Sequence, residues 1–272
     1  YNALLVNTTG ATNTAIGTSS LASNTTAANN TAVGYNSLIA NTTGETNTAV
    51  GANALDSNTT ASNNTATGYA SLAANTTGAS NAAFGASALA ANTTANNNTA
   101  IGYNTLLVNT TGANNTALGY SALAANETKG SNTAIGAQAL LVNTTGLSNT
   151  AIGSSAGVGI TTGSTNTTVG ESSMAIVTTG SDNVVVGQAA NLDNAVRSGC
   201  VVLGASAGTG VVATTANDQL LIQLGGGATG VFKSDLVPVV DGTAGTVVYG
   251  YLTVIVNVAG VATTKRLLLY TT

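Results

Sequence analysis

The residues that could do chemistry are few. The 272-residue chain has no His and no Trp, one Cys (Cys200), five Lys and Arg together and nine Asp and Glu together, and only 5% of it is charged. Without His, general-base, catalytic-triad and His-metal schemes lose their commonest member. The nine carboxylates recur at no fixed spacing, so no pair is set out for acid–base work. A single Cys excludes an internal disulfide and Cys-based zinc sites. The Gly225-Gly226-Gly227 run lacks the Lys-Ser/Thr of a phosphate-binding loop and reads as a turn. Calcium-binding β-rolls need Asp at each turn, and these turns carry Asn and Thr instead. A net charge of −4 offers no basic footprint for nucleic acid. The chain therefore reads as a non-enzyme, with no cofactor and no metal expected.

Amide, hydroxyl and phenol groups do recur. Glycines stand at Gly17, Gly34, Gly51, Gly68 and every 17 residues onward to Gly204. Four residues before each lies an Asn: Asn13, Asn30, Asn47, Asn64, Asn81, Asn98, Asn115, Asn132, Asn149, Asn166 and Asn183, with Cys200 as a small apolar substitute in the twelfth slot. A second Asn row runs from Asn7 through Asn24 to Asn143, then lapses to Ile160 and Val177. Ranked threonines (Thr8, Thr25, Thr42, Thr59) follow it, and every Asn-Thr-Thr of this row is formally an N-glycosylation sequon. A beat of 34 residues lies on top: Tyr1, Tyr35, Tyr69 and Tyr103 recur, and NTTG alternates with NTTA. Tyr35, Tyr69 and Tyr103 are the candidate partner-binding residues, set out as a row on which a sugar could stack. Duplication of a two-coil unit explains the same beat.

The elements that position these groups follow from the strict period. Seventeen residues are too few for two helices, and Asn, Thr and Gly are poor helix formers. Two short strands and two tight corners per unit fit, with Gly and Asn supplying the corner conformations. A period without insertions means that each unit stacks on its own copy, as in a solenoid. The fold class expected is all-β: a parallel β-roll or β-solenoid of 17-residue coils over residues 1–204, with a small β-rich C-terminal domain over 205–272. Identical residues then lie ~4.8 Å apart, and twelve coils make a rod of about 50–60 Å. The Asn rows become amide ladders. Ile16, Val33, Val50, Ile101, Leu118, Ile135 and Ile152 form one aliphatic row, and Leu21 through Leu140 a second; both are expected to be buried. Like charges on a stacked position would repel, which accounts for the scarcity of charge. The Ala positions (Ala15, Ala32, Ala49) and the Ile/Val positions lie on opposite sides of one strand, and both sides are apolar enough to bury, an argument for oligomerisation.

After Gly153 the pattern decays to TTVG, VVVG and VVLG, as in a capping part of a rod. Residues 217–230 read as a strand and a glycine turn, and 247–270 as a hairpin turning near Ala259-Gly260. The apolar stretch 246–262 is β-branched and falls short of the ~20 residues of a spanning helix, so no membrane insertion is expected. The chain opens inside a repeat, so upstream sequence is expected.

The motif N-T-A-[IV]-G-x-x-A-L resembles the coil motif in the left-handed β-roll heads of trimeric autotransporter adhesins, whose coils are usually shorter. The longer form NTTGxxNTAIGxxAL is similar to repeats of bacteriophage tail and head fibres, including those of cyanophages. The ending GYLTVIVNVAGVATTKRLLLY resembles the short β-domain that closes many phage fibre proteins, with Val258-Ala259-Gly260 in place of the usual Asn-Gly turn. The resemblance implies a homotrimer of interlocked β-rolls. It would serve as a structural virion fibre, located on the virion or an extracellular surface and involved in host attachment. Its partners would be its own copies, other virion or filament proteins, and a cell-surface glycan or receptor. Two alternatives stand beside it: a self-assembling extracellular filament or surface adhesin subunit, and an ice-binding β-solenoid using its ranked threonines.

Overall fold

The computed structural model is an all-β parallel solenoid in which each 17-residue coil contributes one three-residue strand. It describes residues 1–192 and 195–204, together with the backbone of four further strands. Strands β1 (Thr14–Ile16) to β12 (Val201–Leu203) follow one another in sheet order. They pair parallel without slippage: Thr14 faces Thr31, Ala15 faces Ala32 and Ile16 faces Val33, and each later pair repeats the 17-residue step. Constant coil length fixes this register, and the β-branched Thr, Ile and Val suit the pleated surface.

The second strand expected in each coil is not formed. The segment from Thr18 to Ser23 is a continuous turn in which Ser19 and Leu21 take left-handed backbone, φ 56° and 50°. The same two slots do so in coil after coil, as at Asn36 and Leu38 or Asn53 and Leu55. Left-handed backbone costs an L-residue about 1–2 kcal/mol. Two gains offset it. The Leu21 side chain is wholly buried against its copies, worth ~1.5–3 kcal/mol. The backbone is also clamped in both directions: Ser19 N–H donates to Tyr1 O at 2.9 Å in the preceding coil, and Leu21 N–H to Ser37 O at 2.9 Å in the following one.

The core is a column of leucines facing a column of alanines. Leu21, Leu38, Leu55, Leu72, Leu89, Leu106, Leu123 and Leu140 are fully buried, and so are Ala32, Ala49, Ala66, Ala83 and Ala100 at the strand centres. This corrects the expectation that the Ile/Val row is buried within the chain. Ile16 is 61% exposed and Phe84 42% exposed, whereas Ala83 beside it is 0% exposed. Successive strand side chains point to opposite faces. A three-residue strand therefore sends one side chain inward, and the leucines opposite leave room there for a methyl group only.

Beyond the twelve short strands, β13 (Leu220–Leu224) pairs parallel with β12, Val201 facing Leu220. The direction then alternates. Strands β14 (Gly230–Ser234), β15 (Gly250–Val258) and β16 (Val261–Leu269) pair antiparallel in succession. The hairpin expected near the chain end is formed by β15 and β16, with Gly250 facing Leu269 and Val258 facing Val261. The turns expected at 225–227 and 259–260 lie outside the described residues.

Candidate functional site

The two asparagine rows are built differently. In the Asn13 row, Asn30 Oδ1 accepts the backbone N–H of Asn47 at 2.9 Å, and Asn30 Nδ2 donates to Gly44 O at 2.9 Å. In the Asn7 row the ladder runs through side chains alone. Asn41 Nδ2 donates to Asn24 Oδ1 at 3.2 Å, and Asn58 Nδ2 to Asn41 Oδ1 at 2.9 Å. Both rows converge on one carbonyl per coil: Ala61 O accepts Asn47 Nδ2 at 2.8 Å and Asn58 Nδ2 at 3.0 Å. Asn30, Asn47, Asn64, Asn98, Asn115, Asn132 and Asn149 are fully buried and Asn81 is 1% exposed, so the ladder assigned from sequence is internal. Asn98 departs from its neighbours, since its Nδ2 has no partner and nothing around it explains why. The sequon amides Asn24, Asn41, Asn58, Asn75, Asn92 and Asn109 are buried and engaged in the same way, which leaves no room for a glycan on the folded coil.

The glycines beside these ladders permit close approach. Gly34 has φ +140°, and a Cβ there would stand 2.4 Å from Gly51 O. The lapse of the Asn7 row is also structural. Ile160 takes the Asn slot, so the buried Asn143 Oδ1 is left without a donor. Gly157 takes the Leu slot of the same coil, and Ile160 fills the space, its Cδ1 standing 3.1 Å from where a Gly157 Cβ would be.

The outer surface carries three regular features. The Thr8 row is half-turned inward: Thr25 Oγ1 donates to Thr42 O at 3.1 Å and Thr42 Oγ1 to Thr59 O at 3.0 Å. The next residue in each coil, Thr9, Thr26, Thr43 and onward to Thr179, is exposed. Sequence showed that neighbours must point opposite ways but not which of them points out. The second feature is the outer face of the parallel sheet, where the Thr14 and Ile16 rows run side by side. The third is the tyrosine row. Tyr35, Tyr69 and Tyr103 are 53–61% exposed, and Tyr103 stacks on Tyr120 of the next coil with ring centroids 5.9 Å apart and planes 14° from parallel.

Among the described residues no three His, Cys, Asp or Glu side chains come together, and Cys200 is buried and makes no disulfide. Its backbone N–H donates to Asn183 Oδ1 at 2.9 Å, so the small apolar substitute expected at this Asn slot continues the ladder. Asp56 is half-buried, and loss of solvent raises its carboxyl above the ordinary value of 3.8, partly countered by hydrogen bonds from Ser57. No helix among the described residues is long and apolar enough to cross a membrane. No known family, characterised protein or solved structure matches the chain. The described residues thus present stacked, regularly repeating surfaces.

Proposed function

We propose that this chain is the shaft of a fibre, a stiff and nearly uncharged rod that packs side by side with copies of itself through the outer face of its parallel strands. One observation carries this reading. Ile16, Phe84, Ile101, Leu118, Ile152 and Val186 all lie exposed along a single row of that face. Apart from Thr67 the row is aliphatic or aromatic over all twelve strands, a stripe about 50–55 Å long at the usual strand spacing, and an exposed apolar stripe rimmed by polar residues marks an interaction surface. The resemblance of the repeat to phage fibres and trimeric adhesin heads supports a homotrimer and a place on a virion or other extracellular surface. Attachment to a host would follow from that placement.

Ice binding is the second reading, favoured by the paired Thr and Ile/Val rows on the same face. Those rows are irregular in ways that a lattice punishes and a protein partner accommodates. Ala82, Val184 and Val201 interrupt the threonines, and Phe84 and Leu118 change the volume of the neighbouring row. Analytical ultracentrifugation of the wild-type chain and of Phe84→Asp separates the readings. A concentration-independent trimer that Phe84→Asp reduces to monomers, with the far-UV circular dichroism unchanged, is expected. Open-ended polymers would make the rod a filament subunit. A wild-type monomer would overturn self-association and leave the face for ice, to be read by thermal hysteresis.

A further inference from the structure

The tyrosine row is built as open slots rather than as a continuous aromatic stripe. Tyr35, Tyr69 and Tyr103 occupy every second coil, and the slots between them hold Ala52 and Ala86. Where two tyrosines do occupy adjacent coils, at Tyr103 and Tyr120, the rings stack face to face and close the space between them. In that pair each ring turns a face toward its neighbour in the adjoining coil. Tyr35 and Tyr69 stand two coils apart, ~9.6 Å at the usual strand spacing, with the half-buried Ala52 between them; rings set as in the Tyr103–Tyr120 pair would face each other across it. After the half-thickness of each ring the clearance is about 6 Å. A gap of that width admits a puckered six-membered ring.

The polar groups at the rim match such a ring. Asn36, Asn53 and Asn104 follow Tyr35, Ala52 and Tyr103 directly in the chain, all half-buried, and among the described residues their side chains make no hydrogen bond. Their backbones are clamped to the preceding coil, Asn36 N–H to Thr18 O at 3.0 Å and Asn104 N–H to Ala86 O at 3.1 Å. A free amide donates and accepts, as vicinal sugar hydroxyls do. No charged residue other than Glu45 and Asp56 occurs before Glu127, so the strip has no field that selects an ion. A tyrosine from a second copy would also fit between the rings, but it would bury the free amides against carbon, which costs more than leaving them wet.

From this geometry we infer that the Tyr35–Tyr69 and Tyr69–Tyr103 slots each bind one pyranose ring of a neutral glycan, sandwiched between the two tyrosines and hydrogen-bonded by Asn36, Asn53 and Asn104. A ring entering edge-on, with its plane across the rod, belongs to a single-sugar branch or a chain end rather than to a ribbon lying along the surface. The inference does not depend on how the rods assemble.

Affinity electrophoresis of the full chain in gels containing galactomannan, whose branches are single sugars, tests it against hydroxyethylcellulose, a linear neutral glucan. Retardation by galactomannan exceeding that by hydroxyethylcellulose is expected. Ala52→Tyr with Ala86→Tyr fills both slots as Tyr120 does naturally. It should weaken retardation roughly tenfold or more, the factor matching ~1.4 kcal/mol of lost stacking, even though it adds aromatic surface. Tyr69→Ala, which removes the ring shared by both slots, should do the same with an unchanged far-UV spectrum, and it decides the matter if the double variant misfolds. No retardation by galactomannan, or retardation that the added tyrosines strengthen, overturns the inference. So does a change of native mass in Tyr69→Ala without a change in retardation, which would assign the row to contacts between copies.

Discussion

Gly44→Ala is expected to be among the most damaging single-methyl changes in the rod. A Cβ at Gly44 would lie 2.2 Å from Ala61 O, 2.5 Å from Asn41 Oδ1 and 3.0 Å from Asn58 Nδ2, whereas ordinary contact begins at 3.4 Å. The shortfall of about 1.2 Å is to a main-chain carbonyl, which no rotamer change can relieve. That carbonyl is also the point where both amide ladders meet, through Asn47 and Asn58. Moving it leaves two buried amide donors without an acceptor, at ~1–3 kcal/mol each. Stiffening of the unfolded chain returns only about 0.4–1 kcal/mol. The net cost is on the order of 2–5 kcal/mol. The reverse change one coil on, Ala61→Gly, forfeits a buried methyl and some backbone entropy, about 1–2 kcal/mol. Combining the two should not rescue Gly44→Ala, because the obstacle is the carbonyl rather than the Ala61 methyl. Gly146, which faces Gly163, meets its carbonyl at 2.3 Å all the same.

Urea unfolding followed by far-UV circular dichroism measures these costs. Amide exchange around residues 41–64 reports the local opening that a one-dimensional repeat array permits. A Gly44→Ala chain within about 0.5 kcal/mol of wild type, or less perturbed than Ala61→Gly, would refute the reasoning. In the first half of the rod the glycines that meet this contact alternate with alanines on the 34-residue beat. Ala27, Ala61 and Ala95 each lie between glycine coils, at Gly10, Gly44, Gly78 and Gly112.

Other outcomes follow from the same geometry. Ala83→Asp puts a charge in the Leu–Ala column and should abolish the folded signal, while its neighbour Phe84→Asp keeps it; parallel melting curves that ranked them the other way would reverse the assignment of the strand faces. Gly157→Leu should cost about 1–3 kcal/mol by crowding Ile160 and Leu140. Adding Ile160→Asn should recover ~1 kcal/mol or more, and strict additivity in the double-mutant cycle would show that the two do not compensate one another. Asp56 binds its proton more tightly in the folded chain. Its contribution to stability is therefore fully present below the unfolded-state value and lost as pH rises through the folded one. Asp56→Asn should raise the melting temperature at pH 7 and leave it unchanged near pH 3; an equal gain at both would exclude titration of Asp56 as the cause.

The solenoid was legible because the period is strict. A fixed 17-residue step in Gly17, Asn13 and Leu21 forces self-stacking, and the stacked amides and leucines lie where that argument puts them. Three features were not legible, two of them because the sequence holds two equivalent solutions. Ala32 and Val33 are both apolar, and only the volume of Leu38 across the coil decides that the smaller one turns inward. Thr8 and Thr9 are the same residue, so their facing had to come from the backbone. Leu21 at φ 50° has no signature at all, since leucine gains nothing from a left-handed backbone except the burial it finds there.

The order in which the ladders fail carries the same logic further. An acceptor in the Asn13 row is served by the next coil's backbone N–H, which every residue but proline supplies. Cys200 can therefore follow Asn183 and still satisfy its Oδ1. An acceptor in the Asn7 row is served by the next coil's Nδ2, which among the residues in that row only Asn supplies. When Ile160 replaces Asn, Asn143 Oδ1 is orphaned at once. Restoring Asn at 160 alone would move the orphan one coil on, to face Val177. A ladder made of side chains must have a costly end somewhere, and a ladder closed through the backbone need not. The side-chain row accordingly ends at Asn143, and the backbone-served row continues to Asn183.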